Sequence, residues 1–270
     1  MVMENKYSEI AKEVRRISLE MAVNAHSSHS GGALSMADIL TVLYSGEINI
    51  TPQTVNDENR DRFLLSKGHC CASLYAILAI TGFLPKEELI ANYGKNGSSY
   101  FSHVSHKLNG VEISSGSLGH GLPIACGIAL AGRTKKLDYK TYVLTGDGEL
   151  DEGSCWESIL FAGHNKLENL CLIVDYNKIQ SLGNVKDIID LAPLADKFNA
   201  FNWNVVEIDG HNFNQIKSAF NNFRNEQNKP TVIIANTVKG KGVSFMENKL
   251  KWHYSTPNEE QMKIAMEELA

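Results

Sequence analysis

Ile10, Val14, Ile17, Met21 and Ala25 recur at the spacing of one helical face, which predicts a helix over residues 7–24. A second helix is predicted over 35–44, opening at Leu34-Ser35-Met36-Ala37-Asp38. Residues 45–60 hold Gly46, Pro52 and three asparagines and read as loop. Phe63-Leu64-Leu65 reads as a short buried strand. Helices are predicted over 71–80, stopped by Gly82, and from Pro85 to about Tyr93. Strands over 141–144, 170–174, 205–208 and 232–235 then alternate with helices over 154–164, 192–201 and 214–223. A final helix is predicted after Thr256-Pro257-Asn258-Glu259, read as a capping box with proline at its first position. Apolar strands separated by helices argue for an α/β fold: an open, mostly parallel sheet with helices on both faces.

Composition narrows the function. Of 270 residues, 43% are hydrophobic and 21% charged, so a large core is possible and disorder is excluded. A net charge of -5 argues against a general nucleic-acid or anionic-membrane surface. The longest mostly apolar run, 124–131, is broken by Gly127 and falls far short of the roughly 20 residues of a membrane helix. Five cysteines without C-x-x-C spacing suggest reduced thiols rather than a disulfide or zinc framework. Residues 1–20 lack the apolar centre of a signal peptide, so a cytoplasmic location is expected.

The sharpest chemical feature is Thr145-Gly146-Asp147-Gly148, directly after a predicted strand. Ligands of open parallel sheets sit at the carboxyl ends of strands. Glycines there let the backbone approach a phosphate, and the next helix offers its amides to an anion. A carboxylate at the same spot repels a diphosphate unless a divalent cation lies between them, and magnesium suits such oxygen ligands. The neighbouring strand runs into Asp175-Tyr176-Asn177, which places Asn177 thirty residues after Asp147, one strand-helix-strand unit away. Alone, the first loop reads as a turn and Asn177 as a helix cap; together they read as a cation and diphosphate site.

Gly146-Asp147-Gly148 with Asn177 resembles the thiamine diphosphate and magnesium motif, with Tyr176 in place of the motif's frequent first asparagine. Three further segments resemble transketolases: Asp61 to His69, Ser114-Ser115-Gly116-Ser117-Leu118-Gly119-His120-Gly121, and Lys239 to Met246. The resemblance covers nearly the whole chain and implies one thiamine-diphosphate-binding domain, the diphosphate side, over 1–270. It implies Asp147, Asn177 and the main-chain oxygen of Ile179 as ligands of Mg2+, with Ca2+ or Mn2+ as alternatives. It implies Gly148, Gly116, Ser117, Leu118 and His69 as cofactor contacts. His29 and His253 would face substrate and cofactor, and both would handle the C3 hydroxyl proton, a task that suits histidine. His103 is the third substrate-facing candidate; a loop one residue longer would put Ser102 there, and His106 competes. Glu152 and Glu157 match acidic residues at the family's dimer interface, although Ser154-x-x-Glu157 also reads as a capping box.

Departures from the family pattern bear on the substrate. Ser28-His29-Ser30-Gly31 and Ser102-His103-Val104-Ser105 each lack the usual proline, and Cys70-Cys71 replace small residues. The resemblance implies ketol transfer by a chain inactive alone. Its partner would be a C-terminal subunit with the pyrimidine-binding domain and the activating glutamate, in a heterotetramer acting on sugars. A 1-deoxyxylulose-5-phosphate synthase-like subunit, a 2-oxo acid dehydrogenase alpha-like subunit and a non-catalytic cofactor-binding paralogue are the competing readings. Neither nucleic acid nor membrane is expected as a partner.

Overall fold

The structure, a computed structural model, describes residues 2–270; Met1 lies outside the described residues. Helix α1 (Val2–Asn24) buries the expected stripe of Val14, Ile17 and Met21. The helix expected over 35–44 forms instead as α2 (Ser30–Ser35) and α3 (Ala37–Val42), broken at Met36, followed by a π-helical turn over Leu43–Glu47. Gly31 and Gly32 argue against a helix by propensity, but each sits where there is little room for a side chain. A Cβ on Gly32 would lie 2.7 Å from the Cys70 sulfur, and one on Gly31 3.1 Å from the Lys239 side chain.

Strand β1 (Arg62–Leu65) leads through a 3-10 turn at Gly68–Cys70 into α4 (Cys71–Ile80) and α5 (Lys86–Asn92). Helix α6 (Gly121–Lys135) was not expected from the sequence, which shows only its apolar run. Its Gly132 reads as a breaker, yet a Cβ there would meet the Tyr139 ring at 2.7 Å. Next come β2 (Thr141–Gly146), a 3-10 turn at Gly148–Asp151, α7 (Gly153–His164), β3 (Leu170–Tyr176), α8 (Val185–Ile188) and α9 (Leu194–Ala200). The chain closes with β4 (Asn204–Asp209), α10 (Phe213–Asn225), β5 (Thr231–Asn236), a 3-10 turn at Leu250–His253 and α11 (Glu259–Glu268).

The five strands are all parallel, in the order β1-β2-β3-β5-β4. Alternation along each strand feeds two cores. Phe63, Tyr142, Ile173 and Ile233 face one, with α1, α3, α4 and α10; Leu64, Val143, Leu172 and Val232 face the other, with α6, α7 and α9. Helices α6, α7 and α9 precede strands added in one direction across the sheet. Helix α10 precedes the one step back, and right-handed crossovers put it on the opposite face. All strands therefore point their carboxyl ends at one edge. That edge carries the loops after β1, β2, β3 and β5.

Two expected capping boxes do not form. Glu152 is the N-cap of α7, and the Ser154 hydroxyl donates instead to the Gly119 carbonyl at 2.8 Å. At the last helix Asn258, not Thr256, is the cap and closes a box with Gln261; the Thr256 hydroxyl donates to the Ser27 carbonyl. In both cases a contact distant in sequence takes the hydroxyl that the local pattern assigned to the helix.

Candidate active site

The loops at the carboxyl edge enclose a cavity of about 320 Å3 lined by residues from every one of them, among them Lys67, Gly116, Asp147, Asn177, Lys239 and His253. The Asp147 carboxylate accepts from the amide of Gly148 at 2.8 Å and from that of Lys178 at 2.5 Å, which fixes β2's loop against β3's. Asn177 Oδ1 accepts from the amide of Ile179 at 3.2 Å. The Ile179 carbonyl accepts from the Lys239 ammonium at 2.8 Å, so this oxygen already faces a cation. Burial and the nearby Asp175 carboxylate push the Asp147 carboxyl up to about 6. Among the described residues no cluster of three His, Cys, Asp or Glu could hold a metal. A carboxylate, an amide oxygen and a carbonyl form a different donor set, all hard oxygens, which suits magnesium shared with phosphate. Gly148 must be glycine, because a Cβ there would lie 2.7 Å from that of Gln180.

Beneath these residues lies a polar layer that the sequence did not reveal. Asp175 is completely buried and pairs with the buried Lys67 ammonium at 2.5 Å. The Ser35 hydroxyl donates to it at 2.6 Å, and the Thr237 hydroxyl donates to its other oxygen. Burial would raise the Asp175 carboxyl, but the Lys67 charge and these donors hold it below the usual carboxylate range. Glu149, also buried, accepts from the Ser66 hydroxyl, from the Gly119 amide at 2.9 Å and from the Gly146 amide at 3.2 Å. It joins β1's end, the glycine-rich segment 114–121 and β2's end. The buried charges are thus three carboxylates against Lys67 and Lys239. A diphosphate alone would be repelled; a dication reverses the balance, so the residues fit a cation-bridged anion.

Four histidines form the cavity's other wall. The His29 ring centroid lies 4.9 Å from that of His69, 5.1 Å from that of His253 and 6.1 Å from that of His103. His29 has a left-handed backbone, φ 73°, and its amide donates to the His253 carbonyl at 3.0 Å. The Lys239 ammonium reaches His253 Nδ1 at 3.0 Å; an ammonium only donates, so the neutral ring carries its hydrogen on Nε2. Burial first, then neighbouring rings and lysines, lowers His29 and His69 to about 4 and His253 to about 3. An unfolded chain takes up these protons near 6.5, whereas the folded chain resists until about 4. The contribution of these rings to the stability of the cofactor-free protein should therefore be full above pH 6.5 and be lost as pH drops toward 4, outweighing the opposite contribution of the single Asp147 carboxyl. Thermal unfolding between pH 7 and 4.5 measures this, and His69→Gln should flatten the slope.

Most predicted positions meet here, with exceptions. His103 lines the cavity beside Gly116, where a Cβ would lie 3.2 Å from its ring. His106 instead bonds the Ser114 hydroxyl at 2.7 Å, and Ser102 is not part of the wall. Ser117 is exposed and does not line the cavity, unlike Gly116 and Leu118. Glu152 and Glu157 are exposed on and before α7, away from the cavity. At the mouth, Tyr254 is 61% exposed with its ring 4.7 Å from that of His253, and Leu182, next to the lining residue Ser181, is 75% exposed.

Fold and site together define an α/β domain whose cavity lies at the carboxyl edge of a parallel sheet, with donors suited to a cation and an anionic cofactor. The family model described as the thiamine diphosphate binding domain of transketolase matches residues 6–270. One subunit of the apulose-4-phosphate transketolase of Actinobacillus succinogenes is 42% identical over 97% of this chain and 96% of its own length. The 6-deoxy-6-sulfo-D-fructose transketolase subunit SqwG of a Clostridium species is 41% identical, over 96% of this chain and 94% of its own. The crystal structure of Campylobacter jejuni transketolase superposes with a TM-score of 0.92 at 33% identity, covering 98% of this chain and 43% of that one. The chain spans less than half of that transketolase chain. It belongs to the transketolase family, as a thiamine diphosphate-binding domain, which favours transketolase over the synthase and dehydrogenase readings.

Proposed function

We propose that this chain is the diphosphate-side subunit of a two-chain transketolase, transferring a two-carbon ketol unit from a ketose to an aldose. The observation that carries this reading is the single cavity that joins the Asp147, Asn177 and Ile179 oxygens to four neutral histidines. Relatives named as transketolase subunits, matched almost end to end, support it. Asp147, Asn177 and the Ile179 carbonyl hold magnesium. Gly148, Gly116, Leu118, His69 and the Lys239 ammonium surround the diphosphate and thiazolium. When bound, thiamine diphosphate supplies the electron sink for the broken carbon–carbon bond. His253 presents an Nε2 hydrogen, and His29, neutral beside it, offers a lone pair, so the two rings can donate and accept the substrate's hydroxyl proton. His103 faces the same space.

A partner chain completes the site. Exposed Tyr254, and Leu182 beside the lining Ser181, leave apolar surface at the mouth, suited to desolvation by a second domain. That partner carries the pyrimidine-binding domain and the activating glutamate. Two copies of each chain form the assembly, with Glu152 and Glu157 at the contact between copies. All five cysteines are free and buried, which fits a cytoplasmic protein. No helix among the described residues is long and apolar enough to cross a membrane. The test is an assay of the purified chain with and without its partner. Ketol transfer is expected only from the mixture. Substantial transfer by this chain alone would overturn the two-chain reading, and pyruvate decarboxylation in place of ketol transfer would overturn the reaction.

A further inference from the structure

Behind the cavity, Asp38 on α3 is gripped by the Arg15 guanidinium of α1 through two bonds, 3.0 and 2.6 Å, while Arg15 Nε donates to the Leu34 carbonyl. The same carboxylate meets His211 Nδ1 at 2.7 Å. His211 Nε2 in turn accepts the Val238 amide at 2.8 Å. None of these residues lines the cavity. We propose that Asp38 and His211 form a positioning device for the cofactor site. The carboxylate selects the ring tautomer, and the ring then holds the backbone segment that delivers Thr237 and Lys239.

The chemistry leaves one arrangement. An ionised carboxylate can only accept, so Nδ1 carries the hydrogen. A neutral ring then has a bare Nε2, the acceptor that Val238 needs. Thr237 on one side of Val238 donates to Asp175, and Lys239 on the other reaches the Ile179 carbonyl and His253 Nδ1. A single hydrogen bond therefore sets two groups of the site. The turn Asp209-Gly210-His211 is shaped to make it: a Cβ on Gly210 would lie 2.4 Å from the Thr237 methyl, so only glycine lets the turn lie against this segment. Burial would raise the Asp38 carboxyl, but Arg15 and His211 hold it below its ordinary value.

The proposal takes the cavity to be the cofactor site argued above, but its test reads Lys239 directly. In the full chain, Lys239 is buried and should react slowly with an acetylating ester, followed residue by residue by mass spectrometry. Losing a hydrogen bond of about 0.5–1.5 kcal/mol should speed this about 2- to 12-fold. His211→Asn cannot reach Val238 and should show the faster reaction, with exposed Lys263 unchanged. His211→Gln keeps an acceptor at the Nε2 position and should react like the parent. Protection unchanged in His211→Asn, or equally lost in His211→Gln, would overturn the proposal. In the parent, nitrogen-15 shifts should show His211 protonated on Nδ1; protonation on Nε2 would equally overturn it. Failure of the transketolase reading would show separately, as absent ketol transfer with this pattern intact.

Discussion

Asp147→Ala should weaken magnesium-dependent binding of thiamine diphosphate by more than about 100-fold, beyond the loss typical of residues that merely support a metal ligand. The fold should survive, and the reason is a near cancellation. Asp147's carboxyl, ordinarily at 3.8, is raised to about 6, so the folded chain binds this proton more tightly than the unfolded one. This one carboxyl's contribution to stability therefore falls as pH rises from 3.8 through 6, by about 3 kcal/mol, against the opposite and larger contribution of the histidines. Removing the carboxylate relieves that cost. That net cost already includes the favourable bonds from the Gly148 and Lys178 amides, so the variant exchanges a buried charge for two amides that lose an acceptor. Titration calorimetry with and without magnesium, beside thermal unfolding of the cofactor-free protein, separates the two effects. Unchanged magnesium-dependent affinity in the variant would remove Asp147 from the metal site.

Lys67→Met should destabilise the chain by about 3–5 kcal/mol, the usual cost of leaving one member of a buried ion pair alone. Asp175 would keep its Ser35, Thr237 and Asn177 donors but lose the Lys67 ammonium bonded to it. The Gly32 carbonyl would lose its 2.9 Å bond from the same group, loosening α2 and with it His29. Lys67→Met combined with Asp175→Asn should recover about 1 kcal/mol or more, because the stranded charge is gone. Denaturant unfolding of the two variants measures both numbers. A single variant as stable as the parent, or a double variant no better than the single one, would show that the pair contributes little.

The parts of the molecule legible in the sequence are those whose signal is local. Every predicted strand lies inside an observed one, since an apolar run between helices has few other uses. Asp147 and Asn177 were legible because glycine, carboxylate and one strand-helix-strand spacing leave little else to do. Lys67 and Asp175 were not, although they sit 108 residues apart in sequence and 2.5 Å apart in space. A charge ending the apolar run 170–174 was the available clue, because such a group needs a partner. Glu149 gave no signal at all; its three donors come from three separate loops. Gly132 and Gly32 carry no such signal either, because glycine in a helix does not announce the close contact it serves. The choice among Ser102, His103 and His106 turned on which ring lies beside Gly116, a contact that loop length alone does not decide.

In the two-chain enzyme proposed above, the exposed Tyr254 and Leu182 at the cavity mouth would be covered by the partner. Cofactor retention and association of the two chains are then a single linked equilibrium, each tightened by the other by the same factor. Dilution becomes a way to strip the cofactor, and saturating cofactor a way to hold the assembly together. The protein's working concentration, as much as its affinity for either one, sets how much of it is loaded at a given moment.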